Sequence, residues 1–326
     1  MDRDNRLENI KFIYDLNDYD YLSMLELWNR EMGEIYPINK ESFEYSVTKY
    51  KAGKYFGVKA IDEDKIVGFI ILKTFDDPYL SSLNDSLFIS LLYVSKKYRR
   101  RGIGSFLVDY ALKIYKEDDR FNSLWLGKEI HNFVPGIPCE FDNVSDVFFE
   151  RRGFTSVRYT HDLINRKLET YEIRNKEVKY EIIDKTRKDE LISFIERNGW
   201  KRWAYEVREE FENDEDNKCY LVGLIDNKIV SFSKVNDLNN GRNSYNMMWK
   251  DRFNNLGGIG PLGVDKEYRG KKIGGDIIKE AVNTLIRRGV SEIMIDWTGL
   301  MELYSKYGFE VWKMYKYTYI KKENKI

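Results

Sequence analysis

Cysteine and histidine are scarce in this chain: Cys139, Cys219, His131 and His161 are all it has. The two cysteines fall in different halves, so no disulfide framework is expected and a reducing cytoplasm is the expected setting. The histidines stand at no metal-ligand spacing, which gives little basis for a zinc site or for Ser-His catalysis. No metal is therefore expected. No apolar run approaches the roughly 20 residues that a membrane span needs. The opening Met1-Asp-Arg-Asp-Asn-Arg-Leu7 lacks the apolar stretch of a signal peptide. Net charge is missing too, because 54 Lys+Arg balance 54 Asp+Glu. Nucleic-acid affinity rests mainly on a basic excess, so neither nucleic acid nor membrane is an expected partner.

What the chain does have is repetition. Tyr98-Arg-Arg-Arg-Gly-Ile-Gly104 returns 170 residues later as Tyr268-Arg-Gly-Lys-Lys-Ile-Gly274. Each copy follows a short apolar run ending in valine (Val94, Val264) and leads into an amphipathic stretch. A strand, a basic glycine-containing turn and a helix start together make an anion cradle. The first-turn N–H groups lack intrahelical partners, and the helix dipole favours negative charge there. Two further strings repeat in the same order: Lys65-Ile-Val-Gly-Phe69 with Lys228-Ile-Val-Ser-Phe232, and Phe148-Phe-Glu-Arg-Arg-Gly-Phe154 with Leu303-Tyr-Ser-Lys-Tyr-Gly-Phe309. Three ordered matches point to a duplicated domain built around a phosphorylated cofactor.

Length allows roughly two domains, each with its own core. In the first half, the pattern predicts a strand at 9–17, helices at 19–34 and 41–50, a hairpin over 55–72, and a strand at 87–94. The cradle, its helix, a strand at 123–126, a short helix ending at 152–154 and a last strand near 156–164 follow. The second half repeats the order: strand 180–183, helices 188–197 and 202–211, a hairpin over 219–234, strand 259–264, the second cradle, and strand 293–297. The polar segment 166–179 is the natural linker, giving domains 1–166 and 167–326. Each is expected to be α/β, a mixed sheet with helices on both faces.

A strand ending in valine, an Arg-x-x-Gly-x-Gly turn on a helix start and a later aromatic-Tyr-x-Lys-x-Gly-Phe helix resemble the GNAT acyltransferase superfamily. The resemblance runs over nearly the whole chain, twice, and implies a tandem GNAT protein using acetyl-CoA. It implies cofactor contacts at Leu92, Tyr93, Val94, Arg99, Arg100, Arg101, Gly102, Ile103, Gly104 and Ser105 in the first half. In the second half it implies them at Leu262, Gly263, Val264, Arg269, Gly270, Lys271, Lys272, Ile273, Gly274 and Gly275. The cradle amides would hold the pyrophosphate, and the acetyl group would sit where the preceding strand splays from its neighbour. His131 and the loop 133–138 are expected to close that splay in the first domain.

The halves have diverged chemically. Phe149 stands where the family's helix carries a tyrosine, and a phenyl ring cannot protonate a leaving thiolate. Tyr304 holds that position in the second half, where Lys272 replaces the first motif glycine. Lysine loses backbone freedom but brings a cation that can reach a phosphate. The resemblance thus implies a cofactor-binding first domain without the acid and a catalytic second domain, with Tyr304 as general acid. Gly257-Gly-Ile-Gly-Pro-Leu-Gly-Val264 and Ile295-Asp-Trp-Thr-Gly299 are similar to strings of glucosamine/glucosaminide N-acetyltransferases, which implies an aminosugar acceptor. Asp296 would then accept a proton through a water, or simply bind the amine or sugar hydroxyls. Binding is the expected role, since a hexosamine amine is less basic than lysine at about 10.4. Trp297 and Trp203 are candidates for stacking on a sugar face. Acetylation of another small amine or a peptide N-terminus, or a non-catalytic acyl-CoA sensor, remain alternatives, and a homodimer is a family-level expectation.

Overall fold

The first strand is shorter than its apolar pattern suggests, because Asn17 ends it. The Asn17 side chain accepts from Asp20 N–H, and the Asp20 carboxylate accepts from Asn17 N–H. That reciprocal cap starts a helix at once. The computed structural model describes residues 7–141, 144–241 and 243–322. Its first elements are β1 (Ile10–Ile13), α1 (Asp18–Met32), α2 (Lys40–Ser46), β2 (Tyr55–Asp62), β3 (Lys65–Thr74) and β4 (Ser86–Val94). Then come α3 (Ile103–Glu117), β5 (Ser123–Leu126), β6 (Ile137–Pro138), α4 (Val144–Glu150) and β7 (Thr155–Asn165). The second series is β8 (Lys179–Ile182), α5 (Lys188–Arg197), α6 (Lys201–Asn213), β9 (Tyr220–Ile225), β10 (Lys228–Asn236) and β11 (Leu256–Val264). It closes with α7 (Ile273–Arg287), β12 (Glu292–Thr298), α8 (Met301–Ser305) and β13 (Glu310–Lys321).

Two compact units result. One runs to Thr160 and takes up the chain again at Met314; the other is His161–Lys313. These differ from a contiguous division at 166/167. The unannounced last strand is the reason: Tyr319 pairs with Trp125, and Ile320 with Leu124, so β13 extends the first unit's sheet beside β5. In the second unit the end of β7 takes the matching place, with Ile293 of β12 paired to Asn165. The first unit's strand order is β1-β2-β3-β4-β5-β13-β7, and the second's is β8-β9-β10-β11-β12-β7. β4 runs parallel to β5 and β11 to β12, whereas β3 with β4 and β10 with β11 are antiparallel. The mixed α/β sheet expected from the sequence is what each unit contains.

The helices after the cradles carry the cores. Leu107, Val108 and Ala111 of α3 are fully buried, as are Ile277, Ile278, Ala281, Val282 and Leu285 of α7. Truncating any one of the larger side chains to alanine is expected to cost about 2–5 kcal/mol. The segment after β7 is strapped down along α7: Tyr171 exchanges two hydrogen bonds with Asn283, and Asn175 N–H donates to Asp276.

Candidate active site

Both basic turns take the same shape by different means. Arg100 and Gly102 have φ of 66° and 101°; their counterparts Gly270 and Lys272 have 82° and 65°. Each turn thus has two left-handed positions and one glycine, and the glycine has moved two residues earlier in the second copy. Lys272 thus keeps the turn's left-handed shape despite having less backbone freedom than glycine. Lysine accepts the left-handed conformation, at a cost of roughly 1–2 kcal/mol. Gly102 and Lys272 are the N-caps of α3 and α7, and no side chain caps either helix. Arg101 lies over the Tyr98 ring and Lys271 over Tyr268, at 4.8 and 4.6 Å. The turns are exposed. Uncapped first-turn amides flanked by cations fit the pyrophosphate of acetyl-CoA.

The strand before each cradle leaves its parallel neighbour partway. β4 pairs with β5 only from Ser86 to Ile89, and β11 with β12 only from Leu256 to Gly258. Each also carries a register shift against its antiparallel partner: between Ile71 and Leu72 for β3–β4, and between Ser233 and Val235 for β10–β11. Such an extra residue bends the strand away. Asp265 N–H donates to Val230 O and Ser95 N–H to Val67 O. Alternation along a strand then turns the N–H groups of Val264 and Leu262, like those of Val94 and Leu92, to the open edge. Those are the donors a thioester carbonyl needs. Gly263 permits close packing on the other side, where an added Cβ would lie 2.3 Å from the Trp200 ring.

At the second unit's splay, Asp296 and Tyr304 come within electrostatic reach of each other. Burial pushes Asp296 up to about 7; the Asp162 and Glu206 carboxylates add to the rise, and its own backbone N–H, then the Asn246 side chain, oppose it. Burial, then the Asp296 charge, pushes Tyr304 up to about 12, so its phenol stays protonated. Asp162 accepts from Trp297 N–H at 3.3 Å. Trp297, at φ 47°, stacks on Tyr245 with centroids 4.8 Å apart. Arg202 lies 5.4 Å from the Trp297 ring, donates to Tyr245 Oη at 3.0 Å and pairs with Glu206 at 3.1 Å. Trp203 packs instead with Trp200 and Phe232, at 5.1 and 6.0 Å. The two candidate stacking tryptophans therefore belong to different aromatic groups.

The first unit replaces each part of this arrangement. Phe88 pairs with Trp125 where Gly258 pairs with Met294. Two residues on, Gly127 stands where the second unit has Asp296. Lys128 and Trp297 follow, both left-handed at 79° and 47°. A Cβ at Gly127 would lie 2.0 Å from Val134 O, so the loop containing Ile130, Phe133 and Val134, all buried, occupies the carboxylate's space. Phe149 meets Phe154 edge-on at 5.2 Å, as Tyr304 meets Phe309 at 6.0 Å. Fully buried Lys73 and Glu129 face each other at 3.7 Å, and Lys73 Nζ donates to His131 O at 2.9 Å. Burial brings Lys73 down to about 8, against the pull of Glu129.

The residues around Asp296 that the sequence did not announce are Asp162, Arg202, Glu206, Asn236, Tyr245 and Asn246. They come from β7, α6, β10 and the segment before β11, and no motif joins them. Among the described residues, no group of three His, Cys, Asp or Glu side chains is set to hold a metal, and no helix is long and apolar enough to cross a membrane.

Known proteins agree with this architecture. The sequence matches the Acetyltransferase (GNAT) family over residues 21–134 and 183–309. The chain belongs to the GNAT acetyltransferase family and carries the fold twice. No curated protein sequence matches it. Among solved structures, a fungal GCN5-related glucosamine N-acetyltransferase region within a multi-domain GH3 β-N-acetylglucosaminidase superposes with a TM-score of 0.83 at 23% identity. That match covers 95% of this chain, which spans only 38% of the fungal protein. A GCN5-related N-acetyltransferase from Sphaerobacter thermophilus gives 0.67 at 15% identity, covering 96% of each chain. A tandem GNAT protein of the clavulanic acid biosynthesis pathway gives 0.67 at 13%, covering 97% of this chain and all of the other.

Proposed function

We propose that the second unit acetylates the primary amine of an aminosugar, glucosamine or a short oligomer of it, by direct attack in a ternary complex. The observation that carries this reading is the pair of half-buried Asp296 and buried Tyr304, within electrostatic reach of each other at the splay of the second unit and both replaced in the first. Bound acetyl-CoA supplies a thioester carbonyl to the acceptor amine. The cradle amides at Ile273, Gly274 and Gly275, with Lys271 and Lys272, hold its pyrophosphate. The Val264 and Leu262 N–H groups meet the carbonyl oxygen as charge develops there. Asp296 takes the proton that the ammonium must lose. A carboxylate near 7 is matched to that task at neutral pH, which favours a proton acceptor over the purely binding role expected from sequence. The Tyr304 phenol gives its proton to the departing sulfur.

The acceptor class has separate support. Asp162, Glu206 and Asp296 present carboxylate to a protonated amine, and the stacked Trp297 and Tyr245 offer an aromatic face to a pyranose. The fungal neighbour is described as a glucosamine N-acetyltransferase region. The first unit serves as an acetyl-CoA-binding partner without chemistry of its own. Thiol release from acetyl-CoA across an amine panel tests the reading. Turnover with glucosamine and chitosan oligomers is expected; turnover confined to other amines overturns the acceptor, and none at all overturns the activity.

A further inference from the structure

Asp296 is reached by a chain of polar side chains that begins well away from the splay. Lys234 forms a buried ion pair with Glu210, whose other oxygen accepts from Tyr220 Oη at 2.6 Å. The ammonium also lies 2.6 Å from Ser244 Oγ. Ser244 Oγ is 3.2 Å from Asn236 Oδ1, Asn236 Nδ2 is 2.9 Å from Asn246 Oδ1, and Asn246 Nδ2 is 3.2 Å from Gly260 O. A Cβ built at Gly260 would lie 3.9 Å from Asp296 Oδ1 and 4.0 Å from Asn246 Nδ2, so the amide and the carboxylate border the same small space.

The direction of every link follows from the two ends. An ammonium only donates and a carbonyl oxygen only accepts, so Ser244 Oγ receives from Lys234 and Asn246 Nδ2 faces Gly260 O. That turns Asn246 Oδ1 towards Asn236 Nδ2 and leaves Asn236 Oδ1 to receive the Ser244 proton. Flipping either amide would oppose two donors or two acceptors inside a buried site, where unmatched polar groups are costly. The amides are also clamped sterically. A Cβ at Gly241 would lie 2.1 Å from Asn236 Oδ1, and one at Gly258 would lie 2.1 Å from Asn246 Oδ1. Asn236 and Asn246 are essentially inaccessible, at 0% and 1% exposure.

We propose that Ser244, Asn236 and Asn246 form a one-way hydrogen-bond relay, running from the Lys234 ammonium to the Gly260 carbonyl, that positions Asp296. The relay rests on Asp296 being the proton acceptor proposed above. The other groups facing that carboxylate are Asp162 from β7, Glu206 from α6 and Tyr304 from α8. Arg202 of α6 is occupied with Glu206 and Tyr245. The acidic neighbours favour the neutral acid, and the backbone N–H of Asp296 and then the Asn246 amide oppose them. Ser244, Asn236 and Asn246 are positioning residues.

The test is the pH profile of kcat/KM, read by thiol release, for the wild type, Ser244→Ala, Ser244→Thr, Asn246→Asp and Asp296→Asn. Ser244→Ala leaves the Lys234–Glu210 pair in place and frees the Asn236 amide. Its acid limb is expected to move up by about one pH unit, the size of one charge-assisted hydrogen bond, with the KM for acetyl-CoA unchanged. Ser244→Thr keeps a hydroxyl and should keep the wild-type limb. Asn246→Asp sets a carboxylate against Asp296 and should move the limb further up; it serves where Ser244→Ala proves unstable. An acid limb that disappears in Asp296→Asn yet stays in place in Ser244→Ala and Asn246→Asp overturns the relay alone. A limb that persists in Asp296→Asn overturns the role of Asp296, and the relay with it.

Discussion

Gly127 of the first unit and Asp296 of the second occupy the same register position, two residues beyond the matched pairs Phe88–Trp125 and Gly258–Met294. One duplicated frame holds a carboxylate in one copy and the Val134 carbonyl in the other. The loss is structural as well as chemical, since no side chain fits at Gly127 without moving the loop.

Replacing Gly127 with alanine should therefore destabilise the protein. The added methyl meets a backbone oxygen at 2.0 Å, and φ is 71°. A loss of about 2–3 kcal/mol is expected by denaturant titration. Turnover per folded molecule should stay at the wild-type level. A neutral substitution would mean that the loop is not packed there.

Tyr304→Phe removes the phenolic proton that the proposed reaction gives to the departing sulfur. We expect kcat to fall by roughly 10²-fold or more, with acetyl-CoA affinity by calorimetry unchanged. The aromatic contact with Phe309 survives the change, so stability should hold. An undiminished kcat would remove Tyr304 from the chemistry.

Asp296→Asn should abolish the acid limb near pH 7 and also change stability in a pH-dependent way. The native carboxyl titrates near 7 and the unfolded one near 3.9. Between those values the native state binds more protons, so wild-type stability falls as pH rises, and the cost is complete above about 7. Asparagine carries no such cost. The variant should melt a few degrees above wild type at pH 8 and gain little at pH 4, by scanning calorimetry. Equal shifts at both pH values would contradict a buried, elevated carboxyl.

Lys272→Gly separates backbone strain from charge. Relief of the left-handed lysine should raise stability by roughly 0.5–1 kcal/mol without ligand. Loss of the cation should weaken acetyl-CoA binding several-fold and flatten its salt dependence. Unchanged affinity would show that the backbone amides suffice. In the first unit, Gly102→Val should impair cofactor binding there yet spare most turnover; lost turnover in a folded variant would place the chemistry in the first unit instead of the second.

Local sequence carries what local physics decides. The cradles were legible because a strand end, a left-handed turn and an uncapped helix start need particular residues within about ten positions. The short helices of Phe149 and Tyr304 were legible for the same reason. The first strand was overread because Asn17 and Asp20 cap a helix that apolar periodicity alone does not mark. The terminal strand β13 escaped because its partners, Trp125 and Leu124, lie nearly two hundred residues away and leave no local signature.

The amino-acid sequence by itself determined the duplication, the two basic turns, and which copy carries a tyrosine on its last short helix, since each depends on residues close together in the chain. Only the tertiary structure decided that Lys272 keeps the turn's shape, that Val134 takes the space of the missing carboxylate, and that Asn246, Asp162 and Glu206 converge on Asp296. Those outcomes depend on burial and on partners brought together by sheet register. Both are properties of the packed chain, and a carboxyl's proton affinity is set by them more than by its neighbours in sequence.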